Sequence, residues 1–329
     1  MKGHLASDTS FFSLYQQFGL ATNSISTPYG TLDSVQPWLD HPPLMGFLMI
    51  PILALKLEPR LLPIILWYLT ALALYLLFER NPKLAYSTVF AFIVFGQYSM
   101  LPSMVFLDAG VSFFLVLTVV LTSYYVRTRI TYFLYLSGIT AGLSALSKEV
   151  GVASIFYLAL FWLYDKYKRK EKNGSSYTKA LILAVVAFST WIIFALIEQP
   201  TLFVDLVSAN LGRSISSNLS YLDVVRTIFS SFSFNVNFIA DTGIDYALIL
   251  SWLGVAYLLA KRSVPAEIKI GLISYLVFFF LLRFTAVFNT IPFFPFYALA
   301  LGLVINDFYD YVIAKSISRF RKEGIKVSL

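Results

Sequence analysis

The sequence predicts an all-α polytopic membrane protein, and three observations carry that prediction. Of 329 residues, 58% are hydrophobic and 13% are charged, against roughly 25% charged in a soluble globular domain. The apolar residues fall into nine runs that read as membrane helices. The basic residues collect in the gaps on one side of such a bundle. A mean hydropathy of +0.74 is more apolar surface than one aqueous core can take, so a second apolar solvent must cover the rest.

In chain order, residues 1–43 are rich in Ser, Thr, Asn and Asp and are expected outside the membrane, as helices on its surface. Pro42-Pro43 lead into the apolar segment Leu44–Leu57, which is short for a span and reads as a juxtamembrane or re-entrant helix on that same side. The nine runs follow at Leu61–Phe78, Leu84–Met100, Ala109–Val126, Thr131–Leu146, Val150–Tyr164, Ala180–Ile197, Tyr246–Ala260, Ile270–Leu282 and Ile291–Ile305. Asp108 marks a turn between the second and third, because a carboxylate at the bilayer centre costs about 3 kcal/mol. Residues 198–245 form a second outer loop, also expected as surface helices that roof a site. The chain therefore reads as one transmembrane domain over 1–329, with outer loops at 1–60 (including the juxtamembrane helix) and 198–245.

Charge placement sets the orientation. With the N-terminus outside, eighteen of the 25 Lys and Arg residues fall in the inner turns and the C-terminal tail, which the positive-inside rule assigns to the cytoplasm. The run Asp165–Lys172 is the strongest single anchor, and a nucleic-acid reading of it is poor. The formal net charge of +7 thus reports topology more than partners.

Composition also limits the chemistry. There is no cysteine, which excludes disulfides, thiolate metal sites, covalent haem and a Cys nucleophile. With two histidines, His4 and His41, acid–base work falls to carboxylates. No metal site is expected; outer carboxylates leave room for a divalent ion, but no ligand motif speaks for one.

The outer face gathers the candidate residues. Asp8, in Ser-Asp-Thr-Ser, is placed for a base or for a helix cap. Asp40 and His41 are held by the two prolines that follow them. Asp108 stands at a helix corner, as a cap or as a carboxylate that orients a ligand. Lys148 and Glu149 interrupt an otherwise apolar hairpin, as an ion pair or as a phosphate grip. Arg283 sits at the outer edge of an apolar run, where Arg either snorkels or binds phosphate, and Arg60 on the same face opens the run that follows it. Carboxylates and cations above apolar helices suit a substrate with an anionic head and a lipid tail.

Asp8, His41-Pro-Pro-Leu44, Arg60, Phe106-Leu-Asp108, Gly142-Leu-Ser-Ala-Leu-Ser-Lys148 and Arg283 followed by Pro292-Phe-Phe-Pro295 occur in this order and on one side. In that combination the chain resembles the GT-C superfamily of membrane glycosyltransferases, in the branch of dolichyl-phosphate-mannose protein mannosyltransferases and the lipid A aminoarabinose transferase. The resemblance implies that Asp8 is the catalytic base, and that Arg60, Lys148 and Arg283 bind the lipid phosphate or orient the outer loops. Asp40, His41, Asp108 and Glu149 would complete the substrate site. The family carries a paired Asp-Glu where this chain has Asp8-Thr9, and a membrane helix ahead of that loop, so the family's first helix is expected to be missing from this sequence.

The expected activity is transfer of a mannose-like hexose from a polyprenyl or dolichyl phosphate to a protein or glycan acceptor on the outer or lumenal face, by an inverting single displacement. The lipid-phosphate sugar is the donor substrate, membrane lipid the other partner, and no nucleic acid is involved. Two alternatives stand beside it: a non-catalytic membrane subunit or degenerate paralogue, and a flippase for lipid-linked sugars.

Overall fold

A computed structural model describes residues 23–27, 30–35, 42–58, 61–100, 106–170, 174–198, 246–281 and 292–322, with short pieces between 200 and 207. Its elements are a hairpin, β1 (Asn23–Thr27) and β2 (Gly30–Val35), and ten helices among the described residues. The helices are α1 (Leu44–Ala54), α2 (Leu61–Leu77), α3 (Pro82–Met100), α4 (Phe106–Thr128), α5 (Thr131–Ser147), α6 (Ala153–Lys168), α7 (Gly174–Glu198), α8 (Tyr246–Ala260), α9 (Ala266–Leu281) and α10 (Phe294–Lys322). A short 3-10 helix, Glu149–Val152, joins α5 to α6.

Each of the nine apolar runs falls on one of the helices α2 to α10. Among the described residues, three helices are long and apolar enough to cross a membrane: Leu107–Thr128, Gly174–Glu198 and Phe294–Ile313. They make the chain an integral membrane protein. α2, Leu61–Leu77, is a shorter apolar helix.

Two expectations are corrected. Within the segment expected as surface helices, the described residues 23–27 and 30–35 form strands: β1 and β2 pair antiparallel, Thr27 opposite Gly30 and Ile25 opposite Leu32. The local sequence explains this, because Ile25, Thr27, Thr31 and Val35 are β-branched and stiff at χ1, which favours a pleated strand. The last helix also runs to Lys322 rather than ending near Ile305. No glycine or proline interrupts residues 305–322, so nothing in the sequence stops it.

α1 begins at the two prolines, as their rigidity predicts: Phe47 N–H donates to the Pro43 carbonyl at 3.0 Å. It packs Met45, Met49 and Ile52 against Leu62 and Leu66 of α2 and Ala109 of α4. The main core lies between α2 and α10, with Trp67 and Phe92 stacked at 4.0 Å between ring centroids. α5 is the central helix and packs on both α4 and α7. It approaches α7 closely because Gly138 has no side chain; a Cβ there would stand 2.3 Å from the Ala180 carbonyl oxygen. Backbone contact at this distance is how small residues join helices where no hydrophobic force drives them together.

Buried polar groups tie the helices at the basic end. Asp165 of α6 accepts from the Tyr177 hydroxyl of α7 at 2.7 Å and from Arg169 at 3.2 Å. Arg169 reaches on to Glu267 of α9 at 3.4 Å, and Glu267 accepts from Ser123 of α4 at 3.0 Å. Asp165 and Glu267 are both buried, and with their partners they join four helix ends.

Candidate functional site

At the opposite end of α4, α5 and α6 the chain turns through Lys148. α5 stops there because Lys148 leaves the helical region for φ −163° and ψ 150°. The Gly151 N–H closes the turn by donating to the Lys148 carbonyl at 2.8 Å. This backbone swings the lysine side chain across the bundle to the first turn of α4. Lys148 Nζ donates to both carboxylate oxygens of Asp108, at 3.1 and 3.0 Å. Asp108 suits that place twice over, since a helix N-terminus carries partial positive charge and the ammonium supplies a whole one.

Both partners are withdrawn from solvent, Asp108 at 2% exposure and Lys148 at 5%. Such a pair gains little net stability over apolar groups of the same shape, but breaking it strands a buried charge at a cost of about 3–5 kcal/mol. The surrounding packing fixes its position. Gly110, one turn into α4, lets α1 and α5 close in; a Cβ there would meet Met45 Sδ at 2.4 Å and Ser147 Oγ at 2.8 Å. Behind the turn, the Ser154 hydroxyl donates to Ser144 Oγ at 2.9 Å. Glu149 is half-buried and opens the 3-10 helix. From α9, the fully buried Tyr275 comes within electrostatic reach of both Asp108 and Glu149. Its ring meets Phe293 edge-on at 4.7 Å.

The fold therefore brings together three of the residues singled out in the sequence, Asp108, Lys148 and Glu149, and sets α1 beside them. Asp8, Asp40, His41, Arg60 and Arg283 lie outside the described residues. Lys148 is more tightly held than a residue waiting for phosphate: it already carries a carboxylate on two hydrogen bonds. Chemically the cluster is a buried carboxylate–ammonium pair with a half-buried carboxylate next in the chain, an arrangement suited to orienting neighbouring groups. Among the described residues, no group of three or more His, Asp or Glu could hold a metal ion.

Sequence reasoning missed Tyr275, which is one aromatic residue in an apolar stretch and gave no local sign. It also read Asp165–Lys172 as an anchor alone, although Asp165 and Arg169 stand four apart, the spacing that pairs side chains on one helix face.

Part of the chain is similar to known proteins. Residues 40–194 match the family model described as dolichyl-phosphate-mannose-protein mannosyltransferase. Among solved structures, the archaeal oligosaccharyltransferase AglB from Archaeoglobus fulgidus, in complex with an inhibitory peptide and a dolichol-phosphate, is similar at 14% identity with a TM-score of 0.45. That similarity covers 97% of this chain, which spans 48% of the length of that structure. A comparison with curated proteins gives no match. The matched segment contains α1 to α6 and most of α7, and with them Asp108, Lys148 and Glu149; in this stretch the chain resembles the dolichyl-phosphate-mannose-protein mannosyltransferase family.

Proposed function

We propose that the chain is a glycosyltransferase that moves a hexose, mannose-like, from a polyprenyl or dolichyl phosphate to a protein or glycan acceptor at the Asp108–Lys148 end of the bundle. One observation carries this reading: the segment that matches the mannosyltransferase family, residues 40–194, is the one that folds the buried Asp108–Lys148 pair beside α1. A phosphate leaving group is already a weak base and needs charge stabilisation rather than a proton. Arg60 and Arg283 are assigned that work. Lys148, bonded to both oxygens of Asp108, is assigned to holding the outer turns in place, with Asp40, His41 and Glu149 toward the substrate.

The acceptor has to lose a proton as it attacks the anomeric carbon, and Asp8 is the assigned base. A single displacement of this kind inverts the anomeric centre. Membranes carrying the protein, incubated with radiolabelled polyprenyl-phosphate hexose, are expected to label an acceptor. Asp8→Asn should lower transfer by about 10²–10⁴-fold, the usual range for a lost general base, with unfolding temperature unchanged. Unaltered turnover would remove Asp8 from the mechanism. Absence of transfer by the unaltered protein would favour a non-catalytic subunit, and label crossing the membrane without transfer a flippase.

A further inference from the structure

A cavity of about 290 Å³ opens at the basic end of the bundle, far from the Asp108–Lys148 pair, between the α2–α3 turn, the α8–α9 turn and α10. Its wall changes character along one stripe of α10. The buried Leu299 and Leu303 line one stretch, and Asn306 and the half-buried Asp307 the next. The spacing of four and then three or four residues keeps them on one helix face, and eight steps of 1.5 Å make the stripe about 12 Å long. Phe78 and Leu84 extend the apolar part, while Lys261 and Ser263 join the polar mouth.

Most of the lining is apolar, so water in that part of the cavity finds few polar partners on the wall. The mouth selects charge. Lys261 donates to Asp307 and lies over the Tyr257 ring. An ammonium has three N–H donors, so the pair leaves the lysine with hydrogen-bonding capacity. Partial burial works against its charge, but the hydrogen bond and field of Asp307 hold its pKa above the usual lysine value, and it stays cationic throughout the physiological range. Arg262, exposed on the same turn, adds positive charge at the opening, while the charges of Lys83 and Lys261 are offset by Asp310 and Asp307.

We infer that this cavity binds one phospholipid, its phosphate at Lys261 and Ser263 and the first part of an acyl chain against Leu84, Leu299 and Leu303. The site is independent of the glycosyl-transfer reading. Its place at the end where the basic turns lie puts the mouth at headgroup depth, and the 12 Å stripe admits an amphiphile lying along the helix in a way a free anion does not need.

The test is native mass spectrometry of the full chain released from nanodiscs of phosphatidylglycerol, counting retained lipids. One tightly held phospholipid is expected on the unaltered protein. Leu303→Trp, which fills the inner cavity, should remove it, and Lys261→Gln should lower its occupancy at least ten-fold. Val312→Trp, on the exposed face of α10, should leave it in place. If Leu303→Trp unfolds, Val264→Phe, from the α8–α9 turn, serves as the filling variant. Retention of the same lipid count in the filled variant overturns the inference, as does full displacement by inorganic phosphate, which would mark an anion site without a place for the chain.

Discussion

Asp108 and Lys148 show how one residue pair can be half legible in a sequence. Each is visible as a charge among apolar residues, which is costly unless compensated, but the chain separates them by forty positions and only the turn at Lys148 brings them together. Tyr275 was not legible at all, since one phenol among aromatic neighbours has no pattern. The pair's burial gives a direct test of its role. Lys148→Ala is expected to destabilise the protein by about 3–5 kcal/mol, because it leaves Asp108 buried and uncompensated. The double variant Asp108→Leu/Lys148→Met should recover most of that loss. Thermal unfolding in detergent measures both, and a single variant as stable as the unaltered protein would mean that the pair does not hold this corner.

Among the elements, the nine apolar runs are readable as long apolar stretches, and each falls on a helix, three of them long and apolar enough to cross a membrane. What periodicity could not give is which helices touch. α5 and α7 are close because Gly138 sits opposite Ala180, and a lone glycine in an apolar run does not name its partner. The hairpin β1–β2 is hidden for another reason: polar composition places the segment outside the membrane without distinguishing surface helix from strand, and only its β-branched residues favour the strand. Gly138→Ala is expected to cost about 1–3 kcal/mol, since its Cβ cannot fit 2.3 Å from a carbonyl oxygen without parting the helices. Gly174→Ala, whose Cβ would meet nothing closer than Trp162 Nε1 at 4.0 Å, serves as the neutral control. Equal unfolding temperatures for the two variants would refute close packing at Gly138.

At the scale of the whole molecule, the bundle is tied at both ends by buried charges, the Asp108–Lys148 pair at one and Asp165, Arg169 and Glu267 at the other. The basic turns gather at the second end, which is the part of the topology that charge counting alone made legible. The absence of cysteine makes the arrangement easy to check with single introduced thiols. Lys56→Cys, after α1, and Lys170→Cys, between α6 and α7, are both exposed and lie at opposite ends. In sealed cells a membrane-impermeant maleimide should label the first directly and the second only after permeabilisation. Labelling of both from the same side would contradict a bundle that crosses the membrane with these ends apart.

The length of α10 has a mechanical consequence. Its 29 residues make a rod about 43 Å long, whereas the hydrocarbon layer is about 30 Å thick. A rod longer than the layer it crosses extends past it, here with the turns that carry Lys315, Arg319, Arg321 and Lys322, as a stiff continuation of a membrane helix. A group carried on that projection shares the tilt and rotation of the bundle, and a tilt of α10 inside the membrane is swept, lever-fashion, into a larger arc at its basic tip.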